Sequence, residues 1–463
     1  MKRVAIVMAC AALTVSCAGP RPAAPPGGAS ITPPPTWRTD LGPGRPVPAA
    51  WWSAFGDPVL NQLVETALAA NPDIALGAER VVEARAQERL ARAQLHPQLE
   101  AGAGVFRERT VDPFGEPLAD TVGTPLAQAS WDLDLFHRLA EADAAARAQI
   151  LSAQGARDAI ALSIATSTAS GYIALRALDA RLATARATLV ARAEGLRIAK
   201  RRAETGYTSN LELRQAEAEY QATAQLVPQA QLAVSRQEDA LRTLIGATPG
   251  DIPRGLPLEE LATPPIPDGL PSDLLRRRPD IYQAEQAVVA ADHSLDSARA
   301  AFLPEIQLTG SAGLALSSAL ASPVTIWTLG GSILAPILDG GRLAAQADVA
   351  ASRRDQATFA YRRAALAAFR DVEDSLAGVQ RSGEQAASLA GQREALAAAL
   401  KNATNRYRAG YSSYLDQLDA QRGLLTAELS LIQARADRLT AYATLYQAIG
   451  GGWTGPPAPP SAH

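Results

Sequence analysis

Sulfur is nearly absent from this chain of 463 residues: its two cysteines, Cys10 and Cys17, and its two methionines, Met1 and Met8, all fall within the first 17 positions. The body that follows is built without disulfides, thiol chemistry or a thioether ladder for soft metals. Histidine is scarce as well, and His96, His137, His293 and His463 lie too far apart for a metal-ligand spacing, so no metal or cofactor is expected. Aromatics are only 5 % although hydrophobic residues make up 47 %, because the long runs are mostly Ala and Leu mixed with Arg, Glu and Gln. Alanine forms helix well and lets backbones approach closely but buries little area per side chain, which suits a narrow packed tube better than a thick core. An excess of one charge is missing too. The formal net charge is -3 with no basic tail or stripe, which argues against a nucleic-acid partner. No glycine loop of the phosphate-cradling kind precedes a helix, and Asp339-Gly340-Gly341 reads as a turn, so no enzymatic chemistry is indicated.

The one strongly apolar run, residues 4 to 15, follows Lys2 and Arg3 and precedes Ser16-Cys17-Ala18-Gly19. It is too short to span a bilayer and has the layout of an export signal, taken as residues 1 to 16. The run resembles a lipoprotein signal, which implies Cys17 as the lipidated first mature residue and, with Ala18 next to it, an outer-membrane destination. The Pro- and Gly-rich stretch up to residue 50 reads as a tether, giving a segment 17 to 50 of anchor plus tether.

The remainder contains itself twice. Arg202-Ala203-Glu204-Thr205-Gly206-Tyr207-Thr208-Ser209 is answered by Arg406-Tyr407-Arg408-Ala409-Gly410-Tyr411-Ser412-Ser413, and each glycine is followed 40 residues later by Ile-Gly. Arg138-Leu139-Ala140 and Arg342-Leu343-Ala344 open Ala-rich runs at the same offset of 204. Pro72-Asp73-Ile74 and Pro279-Asp280-Ile281 each precede a helical stretch closed by a proline 25 residues on. Two repeats, 51 to 246 and 272 to 453, therefore share one plan, joined by a Pro-rich linker at 247 to 271 and followed by a tail at 454 to 463 that reads as disordered.

Within each repeat a helix is followed by two stretches of period 2, at about 98–108 and 124–134 in the first and 306–316 and 324–335 in the second. The connection 112 to 123 is too long for a tight turn. Residues 138 to 205 and 342 to 408 contain no proline and predict two helices of roughly 100 Å, which must pack sideways against helices of similar length. Gly206 and Gly410 turn the chain into return helices, the first of which should break at Pro228. Four strands cannot close a barrel, so an exported chain of this plan needs partner chains to complete the sheet.

Several passages together resemble the outer-membrane efflux protein family, TolC-like channels of tripartite pumps, in its nodulation-type lipoprotein branch. They are Trp51-Trp52 with Phe55-Gly56-Asp57-Pro58, Ser130-Trp131-Asp132-Leu133-Asp134-Leu135-Phe136, the run Leu270 to Ile281 with Arg276-Arg277-Arg278-Pro279-Asp280, Pro336-Ile337-Leu338-Asp339-Gly340-Gly341-Arg342, and Tyr414-Leu415-Asp416-Gln417-Leu418-Asp419-Ala420-Gln421-Arg422. The resemblance implies a homotrimer in which each chain gives four strands to a shared membrane β-barrel and its long helices to a periplasmic coiled-coil tunnel. The partners implied are outer-membrane lipid, a periplasmic adaptor and a proton-driven inner-membrane transporter of the RND type, and the cargo is small hydrophobic or amphiphilic compounds. The turns at Gly206 and Gly410 then lie at the periplasmic tip. Asp416 and Asp419, three apart on one helix face, point by motif match into the constricted pore as rings of like charge, while Glu212 and Arg214 are candidates for linking neighbouring helices. Ser412 stands where some members carry a locking arginine. A conduit for secreted polypeptides is the alternative with the same architecture, and an exported coiled coil that never inserts would leave the paired hairpins unexplained.

Overall fold

The computed structural model describes residues 26–39, 44–111, 114–269, 271–318 and 321–455, so Cys17, the export signal and most of the tail lie outside the described residues. The first repeat runs α1 (Pro58–Ala70), α2 (Pro72–Ala93), β1 (Gln98–Val111), β2 (Pro117–Leu133), α3 (Arg138–Glu204), α4 (Asn210–Ala224) and α5 (Leu226–Leu244). The second runs α6 (Pro271–Arg277), α7 (Pro279–Ala300), β3 (Glu305–Ser317), β4 (Val324–Leu334), α8 (Arg342–Arg408) and α9 (Tyr414–Ala448). The two proline-free runs are single helices of 67 residues each. Among the described residues no helix is long and apolar enough to cross a membrane.

Contacts divide the chain into two compact units, one of residues 1–31, 79–154 and 283–363 and one of residues 32–78, 155–282 and 364–463. Each unit draws on both repeats, so the duplication is a property of the sequence and not a boundary between bodies.

The first unit holds an antiparallel sheet of order β1-β2-β3-β4. Its register gives one mainly apolar and one mainly polar face. Pairs such as Leu99↔Ala129, Ala101↔Ala127, Ala129↔Gly310 and Gly310↔Leu329 put Leu99, Val105, Leu308, Leu314, Trp327 and Leu329 on one face. Glu100↔Gln128, Gln128↔Ser311 and Ser311↔Thr328 put Glu100, Gln128, Ser311 and Thr328 on the other, which is mainly polar but also carries Phe106, Leu126 and Ile326. An apolar face and a polar face over strands of 11 to 17 residues satisfy the length and alternation a membrane barrel requires. The ladder between β2 and β3 passes over Thr124 and Pro125, as expected of a residue with no N–H to give. Gly313 leaves room there, since a Cβ on it would lie 2.3 Å from the Pro125 carbonyl oxygen.

The first hairpin differs from the expected one. β2 begins at Pro117, not near residue 124, and Val111 pairs with Pro117, so the connection is only residues 112–116. Proline is tolerated as the first residue of a strand, and the β-branched Thr121 and Val122 extend the strand through a stretch whose Pro and Gly content suggested a loop. Where the strands hand over to the long helices, an aspartate ahead of each helix accepts from backbone amides at its start: Asp134 from Leu139 N (3.0 Å) and Ala140 N (2.7 Å), and Asp339 from Leu343 N (2.8 Å) and from Gly341 N (3.0 Å) just before the helix. The Leu343 amide is the main reason that the Asp339 carboxyl ionises below its usual range.

In the second unit the Trp51–Phe55 turn buries Trp51 and Phe55 completely, and Trp51 stacks on Tyr446 with ring centroids 5.4 Å apart. Asp57, also fully buried, N-caps α1 through Val59 N (2.8 Å) and accepts from Tyr172 Oη (2.9 Å) and Leu256 N (2.8 Å). That hub fastens the inter-repeat linker to α1 and α3. The expected free tether is partly fastened as well: Trp37 Nε1 donates to Gly269 O (2.9 Å), Arg38 N to Glu373 Oε1 (2.8 Å) and Arg45 N to Ile266 O (2.9 Å). Its prolines and glycines lack periodicity, but a Trp and free backbone groups suffice to bind it to the linker and α8. The break in the first return helix falls at Gln225, three residues ahead of Pro228. Pro228 sits in the first turn of α5, where its missing N–H would have no helical partner in any case.

Candidate functional site

The site lies in the second unit, at the C-terminal ends of the two long helices α3 and α8. Both end in the same capped turn. Gly206 (φ 72°) and Gly410 (φ 79°) take the left-handed conformation. Tyr207 N donates to Arg202 O (2.8 Å) with Gly206 N to Ala203 O (3.1 Å), and Tyr411 N to Arg406 O (2.9 Å) with Gly410 N to Tyr407 O (3.1 Å). These are Schellman turns, and the return helices start on serine caps: Ser209 Oγ accepts from Glu212 N and Ser413 Oγ from Asp416 N, each at 3.4 Å.

Below the turns, Tyr414 and Leu418 of α9 are buried with Ala199 of α3 and Ala216 of α4, and Leu196, Leu213 and Tyr407 close around them. The rings of Tyr407 and Tyr414 are 5.6 Å apart, and the Arg202 guanidinium lies over both Tyr207 (5.6 Å) and Tyr407 (5.1 Å). Burial raises the pKa of both Tyr407 and Tyr414, so both phenols stay neutral across the physiological range.

One turn further from the tip is a charge cluster that sequence reasoning missed. Glu219 of α4 accepts from Arg422 Nε of α9 at 2.8 Å and again from its Nη2, and lies 3.5 Å from Arg192 Nη2 of α3. Arg192 Nη1 donates to Gln421 Oε1, while its Nε is buried without a partner among the described residues. Arg192 is 5 % exposed, and burial lowers its pKa against the pull of Glu219. One carboxylate thus joins guanidinium groups from two helices to a third helix. Arg422 belongs to the quoted Tyr414–Arg422 motif, the one signal that pointed here. Arg192 and Glu219 look in sequence like solvated helix charges.

The residues singled out from sequence take different places. Asp416 sits at the third position of α9, and its carboxylate accepts from Ser413 N (3.3 Å), completing a capping box. Asp419 lies 3.9 Å from Arg422 and its side chain is 67 % exposed. Leu415, Asp416 and Asp419 are all exposed, opposite the buried Tyr414 and Leu418, so the two carboxylates share an outward face of α9. Glu212 does reach another helix, accepting from Tyr407 Oη at 3.3 Å. Arg214 pairs with Glu217 in its own helix at 2.7 Å, three residues on along an exposed face. The Ser412 hydroxyl is buried without a hydrogen-bond partner among the described residues. No group of three His, Cys, Asp or Glu side chains among the described residues is placed to hold a metal ion.

The model of the family described as "Outer membrane efflux protein" matches residues 63–247 and 270–451, one match on each repeat. The toluene efflux pump outer membrane protein TtgI of Pseudomonas putida is 34% identical over 414 residues, 86% of this chain and 87% of that protein. The cation efflux system protein CusC of Escherichia coli is 32% identical over 411 residues, 88% of each. Among solved structures, the MtrE outer membrane channel of Neisseria gonorrhoeae, in its open state, is 31% identical with a TM-score of 0.78, over 94% of this chain and 99% of that one. Four strands per chain, two helices of 67 residues and two matched repeats make the chain a member of the outer membrane efflux protein family, a channel of the outer membrane.

Proposed function

We propose that three copies of this chain form the exit duct of a tripartite efflux pump, passively conducting small hydrophobic or amphiphilic compounds handed over by a periplasmic adaptor and an RND-type inner-membrane transporter. The efflux relatives support this cargo over secreted polypeptides, since those reported above export toluene and cations by name. Cys17, lipidated, anchors the mature chain. In this reading the turns at Gly206 and Gly410 form the periplasmic tip, and Asp416 and Asp419 form the gate.

The observation that carries the gate is the exposed pair on α9. Threefold repetition sets each carboxylate against its copies, so that like charges repel as the helices close and cations are drawn to the constriction. Closure is then held by packing and by the Glu219 cluster, with Arg192 and Arg422 serving where Ser412 offers no locking charge. Asp416 has a second task as a helix cap, so the two aspartates are not equivalent.

Single-channel conductance of the purified trimer in a planar bilayer tests the reading. Asp419→Asn is expected to weaken cation preference severalfold with little effect on stability. Asp416→Asn, which retains an acceptor for Ser413 N, should do the same, and the double variant more so. Unchanged conductance and selectivity in all three would remove these aspartates from the gate.

A further inference from the structure

We propose that Arg107 and Arg109 of β1 form a binding pair for the phosphate groups of an acidic outer-leaflet lipid. The register decides which way they point. Leu99, Ala101, Ala103 and Val105 occupy alternate positions of β1 and share a face with Leu308, Leu314, Trp327 and Leu329, the face that meets lipid in an outer-membrane barrel. Arg107 and Arg109 are the next two residues of that alternation. They therefore project to the lipid side, while Glu100 and Glu108 project to the polar side.

The height follows from the strand. The sheet joins its helices at the Gln98 and Leu133 ends and turns at residues 112–116, so in an outer membrane channel with periplasmic helices this hairpin lies outside. From Leu99 to Arg107 and Arg109 is about 27 to 34 Å along the strand. At a tilt near 45° that is about 19 to 24 Å of height, the top of an apolar band about 25 Å tall. Guanidinium groups on the lipid face are tolerated near the interface and not at the midplane.

On this face β2 sets no acid opposite either arginine. Across β1 the partners on this face are Thr121 for Arg107 and Ala119 for Arg109. The nearby Asp120 belongs to the opposite face, where Ser317 Oγ (2.5 Å) and Ser318 Oγ (2.6 Å) donate to it. Among the described residues neither arginine forms an ion pair, and both side chains are exposed. Two guanidinium groups side by side at the outer headgroup level match phosphate oxygens, which they can bind in a bidentate manner.

The probe is a bis-phosphorylated glycolipid of the lipid A type, added to the detergent-purified full-length trimer and compared with the same lipid dephosphorylated and with inorganic phosphate. The phosphorylated lipid is expected to raise the unfolding midpoint and to be retained in native mass spectra. Arg107→Ala with Arg109→Ala should weaken that binding about tenfold or more, with conductance unchanged, and Arg107→Lys with Arg109→Lys should fall between, because lysine keeps the charge but not the fork. Equal binding of the dephosphorylated lipid, equal binding by the alanine variant, or an effect reproduced by inorganic phosphate alone overturns the proposal. Lipid retention reads this pair and conductance reads the gate, so the two can fail separately.

Discussion

Tyr172 holds its hydroxyl between a buried carboxylate and a backbone amide, donating to Asp57 at 2.9 Å while accepting from Gly255 N at 2.8 Å. Burial, first, and the Asp57 charge push its pKa up to about 12. In the unfolded chain a tyrosine ionises near pH 10, so the stability that Tyr172 contributes is complete below that pH and is lost as pH rises toward 12. Its share of the slope is about 1.4 kcal/mol per pH unit. Denaturant titrations between pH 9 and 12 should therefore show a steep fall for the natural protein and a shallower one for Tyr172→Phe. The variant begins lower, by about 2 kcal/mol for two lost hydrogen bonds. Identical slopes would mean that this phenol ionises in the folded state as it does in the unfolded one.

At the scale of the element, the helix ends carry the design. Gly410 has open space around it, so alanine there meets no neighbour and costs only left-handed backbone strain, about 1 kcal/mol. Ser413→Ala removes the capping box at the start of α9 for about the same amount. Hydrogen exchange on the first turn of α9 should accelerate roughly fivefold in either variant, and no change would show that packing of Tyr414 and Leu418 alone holds that turn. The long helices were legible because two stretches of more than sixty residues without proline leave little else for an Ala-rich chain to do, and the turns because glycine recurs at the offset of 204. The start of β2 was not, since Pro117 and Gly123 signal a loop locally and only pairing with β1 makes them strand. The charge cluster was not legible either. Arg192, Glu219 and Arg422 meet only once the register of three long helices is fixed, and no local pattern fixes it.

For the molecule as a whole, the sheet is the part that a single chain leaves unfinished. β1 and β4 are its two edges, and Leu99, Val105, Trp327, Leu329 and Ile333 stand exposed on its apolar face. Open edges and bare backbone cannot persist in hydrocarbon. Detergent-extracted protein should accordingly appear in native mass spectra as an assembly of three chains, and a stable inserted monomer would contradict the shared barrel. The duplication has a further consequence here. Backbone geometry is matched between repeats, with Gly206 and Gly410 in the same turn and Ser209 and Ser413 in the same cap. The fastening is not matched: Tyr414, Leu418 and Arg422 of the second repeat stand where the first has Asn210, Arg214 and Ala218. The turns of the two halves are thus interchangeable parts, while the surfaces beneath them are not. A substitution in either turn therefore meets the same backbone demand as its counterpart in the other half, whereas a substitution beneath the turns meets contacts that exist only once in the chain.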